Sequence, residues 1–290
     1  MQLPDLTCYL NGEYQPLREA RISPMDRGFL FGDGIYEAMP VYGGRIFRFD
    51  AHMERFEHGL SVLRIESPLT RAEWLGVARE LVSRNSAPNQ LVYLQVTRGV
   101  APRAHAMPTD IEPTVFAYAS PMSGVPEAER HAGATCVTAR DFRWERCDIK
   151  SISLLGNVLA RQQAVDAGAA ETILLRDGWL TEASSANVWI VKEGALLGPP
   201  MSEHVLPGVR VALLKELCEE CGIGYNLRPI SEAELFSADE VLISSAGREV
   251  LAVTTLDHEP VGHGALRGKP GPVYARLYEA YQKAKLSQSV

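Results

Sequence analysis

The chain has 290 residues, 46% of them hydrophobic and 22% charged, with a formal net charge of −7; that is apolar material for about two globular cores and excludes a disordered chain. The acidic balance argues against nucleic acid or an anionic membrane as the main partner, so the expected ligand is a small molecule. No apolar run approaches the roughly 20 residues of a membrane-spanning helix, and Met1-Gln2-Leu3-Pro4-Asp5 has neither the basic start nor the apolar core of a secretion signal, so a cytoplasmic location is expected.

The predicted elements form two mixed α/β halves. Cys8-Tyr9-Leu10-Asn11-Gly12-Glu13-Tyr14 reads as a hairpin around an Asn-Gly turn, and Ile46 to Phe49 as a short extended segment. Asp50 is then expected to cap a helix in which Met53, Phe56, Leu60 and Leu63 recur at helical spacing, and Thr70 with Glu73 forms a capping-box pattern before Leu75, Ala78, Leu81 and Val82. Strand patterns follow at Leu91 to Thr97 and Thr114 to Ala119. The Pro/Gly/Ser-rich Ser120-Pro121-Met122-Ser123-Gly124-Val125-Pro126 then reads as a connector. This divides the chain into an N-terminal α/β domain over residues 1–119, a connector over 120–130 and a C-terminal domain over 131–290.

In the second half a helix runs from about Gly156 to Ala167 and stops at Gly168. Strand patterns at Thr172 to Leu175 and Val188 to Val191 are separated by the Asp177-Gly178 turn, a helix begins after Pro207-Gly208, and Val241 to Ser244 reads as a buried strand. The five cysteines are an odd number without disulfide-scaffold spacing, and Cys218-Glu219-Glu220-Cys221 is a lone CxxC, so no metal is expected.

Lys150 is the first of six lysines. It sits in Arg143-Trp144-Glu145-Arg146-Cys147-Asp148-Ile149-Lys150-Ser151, where alternation around bulky side chains suggests a strand carrying the amine into a cleft. Lys192 lies in a turn, Lys215 on a predicted helix surface, Lys269 precedes Pro270, and Lys283 and Lys285 end the chain, all with solvent-facing explanations. An amine, unlike a guanidinium, loses a proton when desolvated and adds to a carbonyl, so a Schiff base is the first hypothesis for Lys150.

An aromatic aldehyde cofactor held there requires an anion cradle, an acid at a ring nitrogen and apolar contact with the ring face. Leu206-Pro207-Gly208-Val209-Arg210 opens a helix and offers backbone N–H groups to a phosphate, or is an ordinary loop-to-helix junction. Arg55 adds a charge-assisted contact to the same anion, or is an exposed helix arginine. Glu182, before Ala183-Ser184-Ser185-Ala186-Asn187, pairs with a ring nitrogen, or is a solvated turn residue.

Arg27-Gly28-Phe29-Leu30-Phe31-Gly32-Asp33-Gly34-Ile35-Tyr36-Glu37, the Lys150 segment, Thr181-Glu182-Ala183-Ser184-Ser185-Ala186-Asn187-Val188 and Leu206-Pro207-Gly208 occur in one order. In that order the chain resembles, over nearly its whole length, the class IV, fold-type IV aminotransferases that use pyridoxal 5'-phosphate. Val96-Thr97-Arg98-Gly99-Val100-Ala101-Pro102-Arg103-Ala104-His105 and residues 143–156 bring it closest to the D-amino acid aminotransferases.

The resemblance implies a two-domain α/β fold with a smaller N-terminal domain and a larger, barrel-like C-terminal domain. It implies a cofactor imine at Lys150, Glu182 at the pyridine nitrogen, Arg143 near the ring hydroxyl and Leu206 against the ring. The phosphate would be met by Arg55, by N–H groups near Gly208 and Val209, and by the loop Ser244-Ser245-Ala246-Gly247, with Ser185 and Arg210 among the cofactor-binding positions. Tyr36, Arg103 and His105 would trap the substrate α-carboxylate, the last two from the neighbouring subunit of a homodimer. Many relatives carry threonine at Arg210 and hydroxyl residues at Ala246 and Gly247, which puts side-chain phosphate contacts there in doubt.

The implied activity is ping-pong transamination between a D-amino acid and a 2-oxo acid. The rivals are a branched-chain L-amino acid aminotransferase, an aminodeoxychorismate lyase-like enzyme and, from another class, a non-catalytic dimeric scaffold.

Overall fold

Residues 5–290 are described by the computed structural model; the first four, on which part of the leader reading falls, lie outside the described residues. The first of two units comprises the described residues up to Ser123 with Ile149–Leu154 and Gln288–Val290, and the second comprises Gly124–Asp148 and Leu155–Ser287.

The first unit is built from β1 (Thr7–Leu10), β2 (Glu13–Pro16), α1 (Arg27–Phe31), β3 (Gly34–Tyr42), β4 (Arg45–Ile46), α2 (Phe49–Val62), α3 (Arg71–Arg84), β5 (Asn89–Thr97) and β6 (Thr114–Pro121). Its six strands follow the order β2-β1-β6-β5-β3-β4 and all pair antiparallel. Asn11 and Gly12 both take positive φ, +47° and +100°, which is what the twist of the predicted hairpin demands of its two turn residues. Met53, Phe56 and Leu60 of α2 and Trp74, Ala78 and Leu81 of α3 pack with Ile35, Met39 and Val41 of β3 in one core. The Thr70–Glu73 capping box forms reciprocally.

Two local expectations are corrected. The extended segment is only Arg45–Ile46, and Phe49, a core residue, already opens α2. Arg48, in the left-handed region at φ +53°, is therefore the N-cap, and Asp50 lies inside the first turn, where its charge still faces the positive helix end.

The second unit contains α4 (Glu127–Ala132), β7 (Ala134–Arg140), α5 (Leu155–Asp166), β8 (Glu171–Arg176), β9 (Trp179–Ala183), β10 (Asn187–Lys192), β11 (Ala195–Gly198), α6 (Val209–Cys221), β12 (Tyr225–Leu227), α7 (Glu232–Phe236), β13 (Glu240–Ser245), β14 (Glu249–Leu256), β15 (Glu259–Pro260) and α8 (Pro272–Ser287). Its strands run β12-β11-β10-β13-β14-β7-β8-β9, with β15 on β14. The edge strand β9 turns through 184–186 straight back toward β10, where Ala183 N–H donates to Ala186 carbonyl at 2.7 Å, so the sheet curls into a half-barrel. The expected α/β class, with the larger curled sheet in the C-terminal half, is observed.

The Asp177-Gly178 turn leads into β9, a strand absent from the sequence reading because its buried run Leu180–Ala183 carries Thr181 and Glu182 and resembles a turn. Residues 143–151 do not form the expected strand; their extended pairing is an isolated bridge from Ser151 to Ile35. Lys285 is not a solvent-facing lysine: its side chain is 17% exposed and pairs with Glu249. All five cysteines are free thiols. No helix among the described residues is long and apolar enough to cross a membrane.

Candidate active site

In the first unit the Lys150 segment is laid along the start of β3. Tyr36 N–H donates to Lys150 carbonyl at 3.0 Å, and Ile152 N–H donates to Gly34 carbonyl at 3.1 Å. The approach is close: a Cβ on Gly32, whose φ is +67°, would lie 2.3 Å from Ser153 Oγ and 3.2 Å from its Cα, and one on Gly34 would lie 3.1 Å from Ile152 Cδ1 as well as 2.5 Å from Val96 carbonyl oxygen on β5. Lys150 is half-buried, and its Nζ sits 4.2 Å from the centroid of the Tyr36 ring. Tyr36 in turn stacks on Tyr93 at 5.6 Å, part of an aromatic face with Phe116 and Tyr118.

Alternation along β3 turns the next residue the other way. Glu37 falls on the face of Ile35, Met39 and Val41 and is fully buried. It accepts two hydrogen bonds from Arg55, from Nε at 2.9 Å and Nη2 at 2.7 Å, and His52 Nδ1 lies 3.0 Å from its Oε1. Burial alone would raise its pKa, but the Arg55 and His52 charges and hydrogen bonds hold it well below the usual carboxylate range. Arg55 is thus a clamped side chain, only 11% exposed, and not a loose helix arginine.

Arg103 and His105 lie on the long loop between β5 and β6, where Pro102 to Met107 are all exposed. Both close on Phe31: the Arg103 guanidinium carbon is 5.2 Å from its ring centroid, and the His105 ring is 5.6 Å away. Arg27 reaches the same ring at 4.8 Å and donates from Nη1 to Ala104 carbonyl at 2.6 Å. Asp33 takes Arg27 Nε at 2.7 Å and Arg98 Nε at 2.8 Å.

In the second unit Glu182 is buried on β9, and Arg143 reaches it with Nη1. The same guanidinium is shared with Asp141, through Nε at 2.9 Å and Nη2 at 2.8 Å. Thr181 Oγ donates to Asp141 at 3.0 Å, and Leu206 N–H donates to Glu182 Oε2 at 3.0 Å. For Asp141 burial is outweighed by Arg143, and its pKa falls; for Glu182 burial wins over Arg143 and the Leu206 N–H, and its pKa rises. Arg143 is held firmly protonated between them, the hydrogen bonds and charges of both carboxylates outweighing its burial.

Gly208 is the N-cap of α6, and no side chain among the described residues caps the helix there. Its glycine is explained by packing: a Cβ would meet Asn187 Oδ1 at 2.0 Å, while Asn187 Nδ2 donates to Leu206 carbonyl at 3.0 Å. Val209 and Arg210 are buried in the first turn, and Arg210 Nε donates to Tyr281 hydroxyl at 3.3 Å. Ser185 Oγ donates to Glu171 at 2.6 Å, and Ser245 Oγ accepts from Arg248 N–H at 3.2 Å. Ala246 and Gly247, in the turn between β13 and β14, bring no hydroxyl, and a Cβ on Gly247 would meet nothing within 4 Å.

Sequence reasoning missed Glu37, His52, Asp141 and Thr181. A glutamate in phase with Ile35, Met39 and Val41 was a readable signal for the first; His52 acts through Glu37, 15 residues away, and Asp141, although only two residues from Arg143, meets Thr181, 40 residues on, only through the fold.

Residues 34–256 match the family model described as amino-transferase class IV. The chain is 39% identical over 279 residues to a D-alanine aminotransferase of Bacillus licheniformis, covering 96% of this chain and 97% of the relative. It is 39% identical over 282 residues to a D-alanine aminotransferase of Staphylococcus haemolyticus, covering 97% and 98%. Among solved structures it is similar to a branched-chain amino acid aminotransferase of T.th. with pyridoxamine 5'-phosphate, with a TM-score of 0.91, 25% identity and coverage of 99% and 96%.

Proposed function

Because the chain belongs to the class IV aminotransferases, we propose that it moves the amino group of a D-amino acid such as D-alanine or D-glutamate to a 2-oxo acid such as pyruvate or 2-oxoglutarate, with pyridoxal 5'-phosphate as cofactor. The donor set fits that group. Glu182 is a buried carboxylate whose pKa is raised and whose one cation is shared with Asp141, so a protonated ring nitrogen would complete its pairing. Lys150 would hold the cofactor covalently, Leu206 would lie against the ring, and Arg143 would stand near the ring hydroxyl. Arg55, the uncapped start of α6 at Gly208 and Val209, and the Ser245-Ala246 turn would take the phosphate, with Ser185 and Arg210 bordering the site. Bound there, pyridoxal phosphate supplies a sink for the electron pair released when a substrate Cα–H bond breaks.

One observation carries the reading: Lys150 Nζ lies 4.2 Å from the Tyr36 ring centroid. The amine that would take the proton from substrate Cα and the phenol that would bind the α-carboxylate are neighbours, as two substituents on one carbon require. Arg103 offers a guanidinium fork and His105 a directional donor to the same carboxylate, from the adjoining subunit of a cytoplasmic homodimer. A second copy of the chain is supported by α5, which exposes Leu155, Val158, Leu159 and Val165 and buries only alanines.

The test is the visible absorption of the cofactor-loaded protein during addition of D-alanine or, separately, L-leucine, without acceptor. Loss of the yellow band with D-alanine alone is the expected result. Loss with L-leucine alone overturns the stereochemical reading in favour of the branched-chain alternative, and failure to take up pyridoxal phosphate favours the non-catalytic scaffold. Pyruvate released from aminodeoxychorismate without an amino acceptor identifies the lyase. Lys150→Ala should abolish turnover with the far-ultraviolet circular dichroism unchanged.

A further inference from the structure

The Arg103–His105 stretch belongs to a loop with no regular secondary structure, exposed at six consecutive positions from Pro102 to Met107. Long side chains on such a loop sample many rotamers, and a binding site made from them loses affinity to the entropy of ordering them. Here both side chains meet one ring. Phe31 receives the Arg103 guanidinium at 5.2 Å and the His105 imidazole at 5.6 Å, with the two ring planes inclined by 53°. A cation within about 6 Å of a ring centroid is attracted by the ring quadrupole, so Phe31 selects a direction for Arg103 without neutralising its charge. A carboxylate in the same place would hold the arginine more tightly and compete with a substrate carboxylate for its fork.

The ring is itself fixed. Arg27, buried at 3% exposure, lies 4.8 Å from the Phe31 centroid and is anchored through Nε to Asp33. Its Nη1 donates to Ala104 carbonyl at 2.6 Å, on the residue between Arg103 and His105. The backbone of the pair is therefore tied to Arg27 and both side chains to Phe31, all within the first unit.

We propose that Phe31 is a positioning residue for substrate-carboxylate recognition, its ring orienting Arg103 and His105 while Arg27 fixes the loop between them. The proposal rests on the reading that Arg103 and His105 bind the α-carboxylate. It predicts that removing the aromatic face weakens substrate binding and leaves the chemistry at Lys150 untouched.

The experiment compares Phe31→Leu and Phe31→Tyr with the wild type as cofactor-loaded proteins. In Phe31→Leu the KM for D-alanine should rise about tenfold, as expected for losing contacts to a cation and an imidazole together, with kcat within about twofold; Phe31→Tyr, which keeps the face, should restore KM. Reaction of the bound cofactor with hydroxylamine, which has no carboxylate, should keep its rate. Amide hydrogen exchange over residues 101–107 should quicken in Phe31→Leu only. An unchanged KM in Phe31→Leu overturns the proposal, and so does an equal slowing of D-alanine and hydroxylamine, which marks a general structural defect. If the wild type does not accept D-alanine at all, the functional reading fails, and the exchange rates alone decide whether Phe31 holds the loop: faster exchange in Phe31→Leu sustains that role and unchanged exchange removes it.

Discussion

Glu37 in the first unit and Glu182 in the second are both buried carboxylates beside an arginine, yet their pKa values move in opposite directions. Glu37 has two hydrogen bonds from Arg55 and a histidine at 3.0 Å. Glu182 has one nitrogen of a guanidinium whose other bonds go to Asp141 and the His204 carbonyl, and a single backbone N–H from Leu206. Burial costs both groups; what differs is the number of donors per oxygen and the neighbouring negative charge of Asp141. The first arrangement is complete and behaves as a structural clamp. The second is under-compensated, which is the state expected of a group whose last partner arrives with a ligand.

Removing each carboxylate should separate the two roles. Glu37→Gln leaves Arg55 and His52 facing a neutral amide in a dry core, and breaking a buried pair in this way costs about 3–5 kcal/mol. Denaturant unfolding of the cofactor-free protein measures it, and an unchanged midpoint would show that Glu37 is no clamp. Glu182→Gln should act on the reaction instead: kcat should fall about a hundredfold, since a hydrogen bond to a charged group contributes roughly 1.5–3 kcal/mol. Steady-state transamination of D-alanine gives the answer, and a kcat within twofold of the wild type would remove Glu182 from the site. Thr181→Val, which withdraws one donor from Asp141, should destabilise the cofactor-free protein by about 1 kcal/mol in the same denaturant assay.

The contrast between the carboxylates was only partly legible in the sequence. Local features were readable because their causes are local: the Asn11-Gly12 hairpin, the Thr70–Glu73 capping box, and the helix end at Gly168, where φ is +66°. Glu182 could be singled out from its small-residue neighbours, but its sharing of Arg143 with Asp141 depends on β9 lying beside β8, which no local pattern encodes. Arg55 was readable as a cation and not as a clamped one, since Glu37 reaches it only when α2 packs on β3. The Lys150 segment misled for a related reason: alternation predicted a strand, whereas the segment is held by two hydrogen bonds to β3 and by glycines at 32 and 34 that admit it. Arg103 and His105 were visible as a pair, and Phe31, which gathers them, lies about seventy residues earlier, inside a glycine motif whose aromatic residues carry no mark of their use.

The smallest effect is also the most discriminating, because it depends on sign. Glu37 has a folded-state pKa below its ordinary value, so its stabilisation is fully present above the ordinary glutamate range and is lost as pH falls through and below that range. The stability gap between wild type and Glu37→Gln should therefore be widest near pH 7 and narrow toward pH 3. Glu182 has a folded-state pKa above its ordinary value, so in the cofactor-free protein its ionisation opposes folding, and the penalty grows as pH rises through the ordinary range toward the folded value. Glu182→Gln should gain on the wild type over that rise, the reverse of the Glu37→Gln trend. Thermal unfolding of the three cofactor-free proteins from pH 3 to pH 8 reads both slopes in one series. Parallel trends for the two variants would mean that Arg143 and the Leu206 N–H compensate Glu182 as fully as Arg55 and His52 compensate Glu37, and the case for a missing cationic partner at Glu182 would fall with that result.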